Sequence, residues 1–331
     1  MCIESNIVES KTELPVIALT GASGFVGSCL LQLLLKAGFR VRALQHSSAL
    51  TPHKNLEVIQ GGLLDADALD QLVQGVDCVI HCGGIVAARR KKHFFQINVN
   101  GTKHIVRAAQ HANITKFLYI SSLSTRQPDI STYARSKYEG ELVVQQSKLQ
   151  AWDIIRPPAV YGPGDKNLLP LLKLLKQRVG LLLGGKEARV SVIYVEDLAQ
   201  AIMQWVLSSK THQTVYEIDD GTETGYSWGD LLENASKLMG IKPYYFTPPV
   251  FLKMLVGYIV KYSCLFIGVT PFLTADKMRE LSYPDWVCNN RRFEQDVNWK
   301  AKVKFQAGIL KTLSWCNETG LLTNTVSEDN T

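Results

Sequence analysis

The chain of 331 residues lacks paired cysteines: its seven cysteines are scattered, odd in number and nowhere spaced as Cys-x-x-Cys. This pattern excludes a disulfide framework, and we expect no metal site because no Cys or His residues have ligand spacing. The first 13 residues contain acids and lack the basic start and apolar run of a secretion signal. We therefore expect a protein of the reducing cytoplasm, with flexible polar tails at residues 1–13 and 323–331.

Long basic stripes and unbroken apolar runs of membrane-spanning length are also missing, although residues 89–93 form one compact basic run. The net charge is +6 and no basic stripe carries interleaved aromatic residues, so no nucleic-acid partner is expected. The most apolar segment, residues 250–272, contains no acid, but Lys253, Lys261 and Pro271 interrupt it, which disfavours a membrane span. Its role stays open between a buried lid, a homodimer face, and a peripheral contact with a membrane or a lipid-like substrate.

A glycine-rich turn follows the first apolar segment. Residues 16–20 predict a buried strand, and the leucine-rich segment that ends before Gly38 predicts a helix. Between them, glycines permit a sharp turn and a close approach of the backbone to a phosphate, while the helix N-terminus offers free N–H groups. The pattern predicts a dinucleotide cradle formed by Gly21, Ser23, Gly24, Phe25, Val26 and Gly27.

Predicted strands and helices alternate along the next hundred residues. This alternation predicts an α/β fold, namely a Rossmann-type doubly wound parallel sheet with a smaller C-terminal substrate lobe. We expect an NAD(P)-binding domain at residues 14–160, with its sheet completed by segments around residues 190–220. The substrate lobe is expected at residues 161–185 and 225–322, and a helix at residues 94–113.

The strand ends carry further cues to the cofactor. The second predicted strand ends without the acid that would accept the 2′-OH of the NAD ribose, and His46 stands where a 2′-phosphate would bind. The sequence therefore favours NADP over NAD, and leaves both open. After the fourth predicted strand, Cys82, Gly83 and Gly84 suit a close approach of the backbone to the cofactor.

A tyrosine and a lysine four residues apart form the candidate reactive pair. Tyr133 and Lys137 would lie on one face of a helix, and Ser122 follows the preceding predicted strand. A tyrosine ionises near pH 10, so we expect the Lys137 ammonium, with a positively charged nicotinamide ring, to lower its pKa. Ser122 would donate a hydrogen bond to the same substrate oxygen.

Several motifs together resemble the extended short-chain dehydrogenase/reductases, a group that includes NAD-dependent epimerases/dehydratases, dihydroflavonol reductases and 3β-hydroxysteroid dehydrogenases. The resemblance covers most of the chain. It is carried by the Gly-x-x-Gly-x-x-Gly loop at residues 21–27, Asn-Val-Asn-Gly-Thr at 98–102, Tyr-x-x-x-Lys at 133–137, the Arg-Pro-Pro segment at 156–165 and Tyr-Val-Glu-Asp-Leu-Ala at 194–199.

The resemblance implies roles for individual residues. Tyr133 would be the acid/base, Ser122 would position the substrate oxygen, and Lys137 would bind the nicotinamide ribose while tuning Tyr133. Asn98 would either support a proton path or relieve a helix irregularity. The nicotinamide pocket would be shaped by Pro157, Pro158 and Val160.

Two departures from the family pattern bear on the ligands. Where the family has Gly-Asp-Leu, whose aspartate contacts adenine, this chain has Gly61-Gly62-Leu63, so only the backbone near Leu63 could serve. Where sugar epimerases tend to have a phosphate-binding arginine, the register gives Val190, with Arg189 one residue away.

The sequence therefore predicts an NAD(P)-dependent oxidoreductase that acts on a secondary alcohol or ketone, with an apolar or steroid-like molecule as its small-molecule substrate. A nucleotide-sugar epimerase or dehydratase is the first alternative. A non-catalytic NAD(P)-binding regulator or subunit is the second, although the intact trio of Ser122, Tyr133 and Lys137 argues against it.

Overall fold

The computed structural model describes residues 14–185, 187–208, 211–267, 270–271 and 273–322, so both predicted tails lie outside the described residues. The strands are β1 (Ile17–Thr20), β2 (Val41–Gln45), β3 (Leu56–Gln60), β4 (Cys78–His81), β5 (Phe117–Ile120), β6 (Trp152–Arg156), β7 (Ala159–Tyr161), β8 (Val179–Leu181), β9 (Arg189–Val190), β10 (Val192–Tyr194), β11 (Val215–Glu217), β12 (Tyr226–Ser227), β13 (Tyr244–Phe246) and β14 (Asp285–Trp286). The α-helices are α1 (Phe25–Lys36), α2 (Ala66–Val73), α3 (Lys91–Phe95), α4 (Thr102–His111), α5 (Thr132–Gln145), α6 (Leu169–Lys176), α7 (Val195–Leu207), α8 (Trp228–Leu238), α9 (Val250–Phe266), α10 (Ala275–Leu281), α11 (Arg291–Val297) and α12 (Phe305–Glu318).

Seven of these strands form one parallel sheet in the order β11-β6-β5-β4-β1-β2-β3. The chain starts in the middle and winds outward in both directions, so helices cover both faces. Along the fully buried β1, Ile17 and Leu19 pack in the layer of α1 and α7, whereas Ala18 packs in the layer of α2, α4 and α5. The predicted α/β doubly wound fold is confirmed.

A second apolar cluster forms the C-terminal lobe, where α6, α8 and α12 pack with residues of the small sheets. Those sheets pair β7 with β10, β8 with β13, and β9 with both β12 and β14. Among the described residues around 190–220, β11 joins the large sheet, whereas β10 pairs with β7 and β9 pairs with β12 and β14. Residues of this lobe cluster line a cleft together with residues at the C-terminal ends of the central strands, which is where α/β folds place their ligands.

The helix predicted at residues 94–113 is divided into three parts. Between α3 and α4, residues Gln96–Gly101 form a π-helical turn, which accommodates one extra residue and rotates the side chains that follow it. The turn coincides with the Asn-Val-Asn-Gly motif. The segment at 250–272 contains α9, and no helix among the described residues is long and apolar enough to cross a membrane.

Candidate active site

The glycine turn after β1 leaves space for a ligand. Gly21 has a φ of +74°, and a Cβ added there would lie 2.7 Å from the carbonyl carbon of Cys82. A Cβ on Gly27 would lie 2.0 Å from the carbonyl oxygen of Gly21. The helix α1 begins at Phe25 without a side-chain cap and without an acid in its first turn, so its first N–H groups can bind a phosphate. The residues present fit a dinucleotide.

A cavity of about 640 Å³ opens beside this turn, at the C-terminal ends of the central strands. Its walls include many of the residues predicted to bind the cofactor or to catalyse, which are Gly21, Gly24, Phe25, Val26, Gly27, Cys82, Gly84, Ser122, Tyr133, Lys137, Pro157, Pro158 and Val160. Ser23 lies on an adjoining cavity that shares Gly24 and Phe25 with it. The structure therefore brings the predicted trio and the glycine turn to one cleft.

The remaining predicted cofactor residues lie outside this cavity. His46 is exposed at the end of β2, and a Cβ on Gly62 would lie 3.0 Å from its ring. Leu63 packs close to Gly83, whose added Cβ would meet it at 3.0 Å. Asp65 caps α2 by accepting a hydrogen bond from the Ala68 N–H, so its carboxylate has a structural role.

Ser122 and Tyr133 are joined by a short hydrogen-bond chain. The Ser122 Oγ accepts hydrogen bonds from the N–H and Oγ of Ser124, at 3.3 and 3.0 Å, which leaves its own proton for the Tyr133 hydroxyl. Ser124 lines the same cavity and was not among the predicted site residues. Its only sequence signal is the Ser-x-Ser spacing after the strand.

Lys137 is buried one turn after Tyr133. Its Nζ donates to the Ile120 carbonyl oxygen at 2.8 Å and lies 4.2 Å from the centroid of the Tyr119 ring. Burial lowers the pKa of Lys137 to about 8, although Glu141 acts in the opposite direction. A Cβ on Gly84 would lie 3.8 Å from this Nζ, so the ammonium borders the cleft at a glycine.

The pKa of Tyr133 differs from the prediction when the chain is considered by itself. Burial has the largest effect and raises that pKa, the Ser122 hydrogen bond lowers it and Glu280 raises it, so that the pKa lies at about 12. Lys137 does not offset the burial, because its ammonium is directed at the Ile120 carbonyl. At neutral pH Tyr133 is therefore a neutral phenol, which can donate a proton.

Asn98 ties three parts of the site together from the π-helical turn. Its Oδ1 accepts from the Ile85 N–H at 2.8 Å, and its Nδ2 donates to the Ile85 carbonyl at 3.0 Å and to the Ser136 Oγ at 2.9 Å. Ile85 follows Gly84, and Ser136 lies on the helix that carries Tyr133 and Lys137. The amide thus fixes the loop after β4 relative to α5, which carries the candidate residues Tyr133 and Lys137.

A buried acid beneath the trio was not predicted. Glu141 accepts hydrogen bonds from Ser121 at 2.5 Å and Thr125 at 3.0 Å, and forms a two-point ion pair with Arg156 at 2.9 and 2.5 Å. It thereby joins α5 to the residues on either side of Ser122 and to the end of β6. The spacing of four residues from Lys137 was the available signal.

The other half of the cavity is apolar. Its walls include Leu168, Leu172, Trp228, Leu232, Leu281 and Ile309. Among the described residues that line the cavity, the charged ones are Lys137, Asp165, Lys277 and Glu280. Lys277 and Glu280 form an ion pair at 2.7 Å, and the Lys277 Nζ lies 5.8 Å from the centroid of the Tyr133 ring.

The position expected for a phosphate-binding arginine is apolar. Val190 lines the cavity, while the Arg189 guanidinium donates to the carbonyl oxygens of Thr224 and Gly225, at 2.6 and 3.0 Å. Arg189 therefore fixes a neighbouring turn. The arginine that sugar epimerases tend to have for phosphate binding is thus missing from this position in the cavity as well as in the sequence.

Residues 17–219 match the NAD dependent epimerase/dehydratase family. The chain belongs to this family. The match spans the whole large sheet and the trio, and it confirms the resemblance to the extended short-chain dehydrogenase/reductases. The protein is accordingly an NAD(P)-dependent enzyme of the oxidoreductase/epimerase type.

Individual relatives share most of its length. A ceramide reductase of Caulobacter vibrioides is 31% identical over 310 residues, which cover 93% of this chain and 96% of that protein. A 3 beta-hydroxysteroid dehydrogenase/Delta 5→4-isomerase of Mycobacterium tuberculosis is 30% identical over 66% of this chain and 65% of its own. The crystal structure of the Bordetella bronchiseptica enzyme WbmH in complex with NAD+ has a TM-score of 0.72 at 19% identity, covering 92% of this chain and 99% of that one.

Proposed function

We propose that this family member reduces the ketone of a long-chain, ceramide-type lipid to a secondary alcohol, with NADPH as the preferred cofactor. The observation that carries the proposal is the cavity itself, in which the trio of Ser122, Tyr133 and Lys137 opens onto an apolar half. The ceramide reductase, which this chain resembles over nearly its full length, supplies the substrate class.

The charges in the cavity favour a ketone with polar neighbours. Lys277 and Glu280 lie beside Tyr133 in otherwise apolar surroundings, so they can bind hydroxyl or amide groups close to the reacting carbon. A ceramide carries such groups next to its secondary alcohol. A steroid surrounds its 3-hydroxyl with hydrocarbon and offers no such polar groups to this ion pair.

A nucleotide sugar suits the cavity less well. Its diphosphate would need positive charge on the substrate side, where Val190 replaces the expected arginine and Arg189 is directed at a turn. The apolar walls formed by Leu168, Leu172 and Leu232 offer little to a sugar hydroxyl.

In the proposed reduction, Tyr133 is the proton donor. When bound, the reduced cofactor supplies a hydride to the carbonyl carbon. Tyr133 donates its phenolic proton to the carbonyl oxygen, and Ser122 donates a second hydrogen bond to that oxygen. A phenol that burial keeps protonated is suited to this donation. Lys137 would hold the ribose of the cofactor, and the ordered Ser124 hydroxyl orients Ser122.

The experiment is a comparison of three carbonyl substrates with purified protein and NADPH: a keto-ceramide, a 3-ketosteroid and a nucleotide sugar. We expect cofactor oxidation with the keto-ceramide at the highest kcat/KM. The Tyr133→Phe variant should lose about 10²- to 10⁴-fold in kcat, while Tyr138→Phe on the same helix keeps its activity. Conversion of the nucleotide sugar without net cofactor oxidation would instead support an epimerase.

The preference for NADPH rests on the end of β2. His46, Ser47 and Ser48 are exposed there and no acid is present to repel a 2′-phosphate. In a fluorescence titration we expect NADPH to bind at least about 10-fold more tightly than NADH, a difference of about 1.4 kcal/mol. His46→Asp should remove or reverse this preference. Tighter binding of NADH to the unmodified protein would overturn the assignment.

A further inference from the structure

One helix presents its apolar face to solvent. In α9, a single face carries Phe251, Leu255, Tyr258, Ile259, Tyr262 and Phe266, whose exposure ranges from 49% for Tyr258 to 94% for Phe266. The spacing of three, four, seven and eight residues places these side chains in one stripe. Amphipathic helices of water-soluble proteins normally turn such a stripe inward.

The opposite face of α9 explains this orientation. Gly257 packs so closely on the next helix that an added Cβ would lie 2.5 Å from the Ala275 nitrogen. Lys253 is 7% exposed and donates to the Leu183 carbonyl oxygen at 2.8 Å. A glycine and a hydrogen-bonded lysine therefore fix the helix to the lobe, so the apolar stripe is held outward by specific contacts.

A second element extends the exposed area. Tyr244, Tyr245 and Phe246 in β13 are exposed at 80, 46 and 48%. The Phe246 carbonyl accepts from the Leu182 N–H at 2.9 Å, next to the Leu183 carbonyl that binds Lys253. The two elements thus flank one loop. We call the six residues of the α9 stripe together with Tyr244, Tyr245 and Phe246 the apolar surface.

The segment that carries the apolar surface has charge of one sign. Between Glu233 and Asp276 the sequence contains no acid; Lys242 is exposed and Lys261 lies beside the stripe, whereas Lys253 is buried on the opposite face of α9. The Lys261 Nζ lies 5.7 Å from the centroid of the Tyr262 ring, at the edge of the stripe. Aromatic side chains with lysines at their border are typical of helices that lie in the interface of a bilayer.

The apolar surface lies next to the substrate cavity. The helix α9 packs on α10, and Leu273, in the segment between them, lines the cavity. Lys277, Glu280 and Leu281 in α10 line it as well. The helix α10 therefore contacts the helix that carries the α9 stripe and also lines the cavity that contains Tyr133.

We propose that the protein docks peripherally on an anionic phospholipid bilayer through the apolar surface. The benefit of this docking for substrate access rests on the proposed lipid substrate. Binding of the bilayer itself does not depend on that substrate. Two copies packed through the same face would bring Lys242 and Lys261 together, and the segment between Glu233 and Asp276 contains no acid to pair them. Anionic headgroups supply the opposite charge, so charge complementarity selects the membrane over a second copy.

The test is co-sedimentation with phosphatidylcholine vesicles, with and without phosphatidylglycerol. We expect binding that rises with the phosphatidylglycerol content and falls with salt. The double variant Phe251→Glu/Ile259→Glu should lose at least about 10-fold in partitioning, by loss of apolar burial and by charge repulsion. The matched control is Leu207→Glu/Leu310→Glu, which places the same charges on exposed leucines elsewhere and should still bind.

Gel filtration and activity distinguish the remaining outcomes. Failure of the unmodified protein to sediment with anionic vesicles would overturn the docking, as would a dimer that only the α9 variant abolishes. Vesicle binding without keto-ceramide reduction would leave the docking in place and reject the proposed substrate. Equal turnover of a short, water-soluble ketone by both double variants would show that the α9 substitutions leave the active site intact.

Discussion

Beneath the glycine turn, one imidazole joins two threonines in a fully buried hydrogen-bond chain. The His81 Nδ1 lies 2.7 Å from the Thr20 Oγ1, and its Nε2 lies 3.0 Å from the Thr102 Oγ1. Thr20 accepts from the Gly83 N–H and Thr102 donates to the Asn98 carbonyl, so a neutral His81 with its proton on Nε2 satisfies every partner. The imidazole links the loop after β4 to the π-helical turn.

This arrangement predicts a stability that depends on pH. Burial, with a smaller effect of Lys137, lowers the pKa of His81 to about 3, while an unfolded histidine titrates near 6.5. Between these values the unfolded chain binds a proton that the folded chain does not, so stability is lost as the pH falls. We expect His81 to contribute roughly 3 kcal/mol to the loss between pH 6.5 and 4. In urea unfolding, the His81→Gln variant should lose less unfolding free energy than the unmodified protein between pH 6.5 and 4, by that amount. If the unfolding free energies of the two proteins fell in parallel with pH, the lowered pKa of His81 would be contradicted.

At the scale of single elements, α1 combines packing and binding. Its buried face packs against α7 through leucines, while its first turn approaches the glycine loop without any Cβ in the way. Close packing of α1 and an open phosphate-binding turn both require a glycine at position 27, where the helix crosses the backbone of Gly21. A leucine-rich helix pattern alone predicts the first property, and the glycine spacing predicts the second.

Gly27→Ala should abolish cofactor binding. An added Cβ would lie 2.0 Å from the Gly21 carbonyl oxygen, so the turn must open and its N–H groups must move away from the phosphates. We expect a loss of at least about 100-fold in NADPH affinity by fluorescence titration, near 2.7 kcal/mol. Gly229→Ala is the matched control, because the nearest atom to its added Cβ is the Ser227 Oγ at 3.4 Å. Equal loss in both variants would exclude a local effect.

At the scale of the whole molecule, the buried carboxylate of Asp197 is one of the groups that connect the sheet domain to the C-terminal lobe. Asp197, in the first turn of α7, accepts hydrogen bonds from the Lys302 and Val303 N–H groups, both at 2.8 Å. These residues precede α12, which packs in the lobe cluster. The cleft lies between the two clusters, so this connection helps to fix its width.

Asp197→Ala should destabilise the folded state by about 1–3 kcal/mol, because two backbone N–H groups lose their acceptor in a buried position. Urea denaturation would measure the change against Asp70→Ala, an exposed aspartate of α2 that should cost less than about 0.5 kcal/mol. We also expect a raised KM for the lipid substrate at unchanged NADPH affinity. Equal stability of the two variants would show that the contact carries no free energy.

The sequence by itself determined the alternation of strands and helices in the sheet domain, the glycine turn and the candidate trio of Ser122, Tyr133 and Lys137. These features depend on local chemistry: apolar periodicity, backbone freedom at glycine, and the spacing of Tyr133 and Lys137 along one helix. The resemblance to the family added the nicotinamide loop and the role of Ser122. Each of them can be recognised without knowing which segments meet in space.

Only the tertiary structure decided the environment of these residues. Burial raises the pKa of Tyr133, and Ile120 receives the Lys137 ammonium, because β5 and α5 happen to meet there. Glu141 binds Arg156, which lies 15 residues further along the chain, and Lys277 reaches Tyr133 from a helix more than 140 residues away. The outward face of α9 likewise depends on where Gly257 and Lys253 find contacts. Electrostatics and exposure are properties of neighbours in space, and a linear pattern does not specify those neighbours.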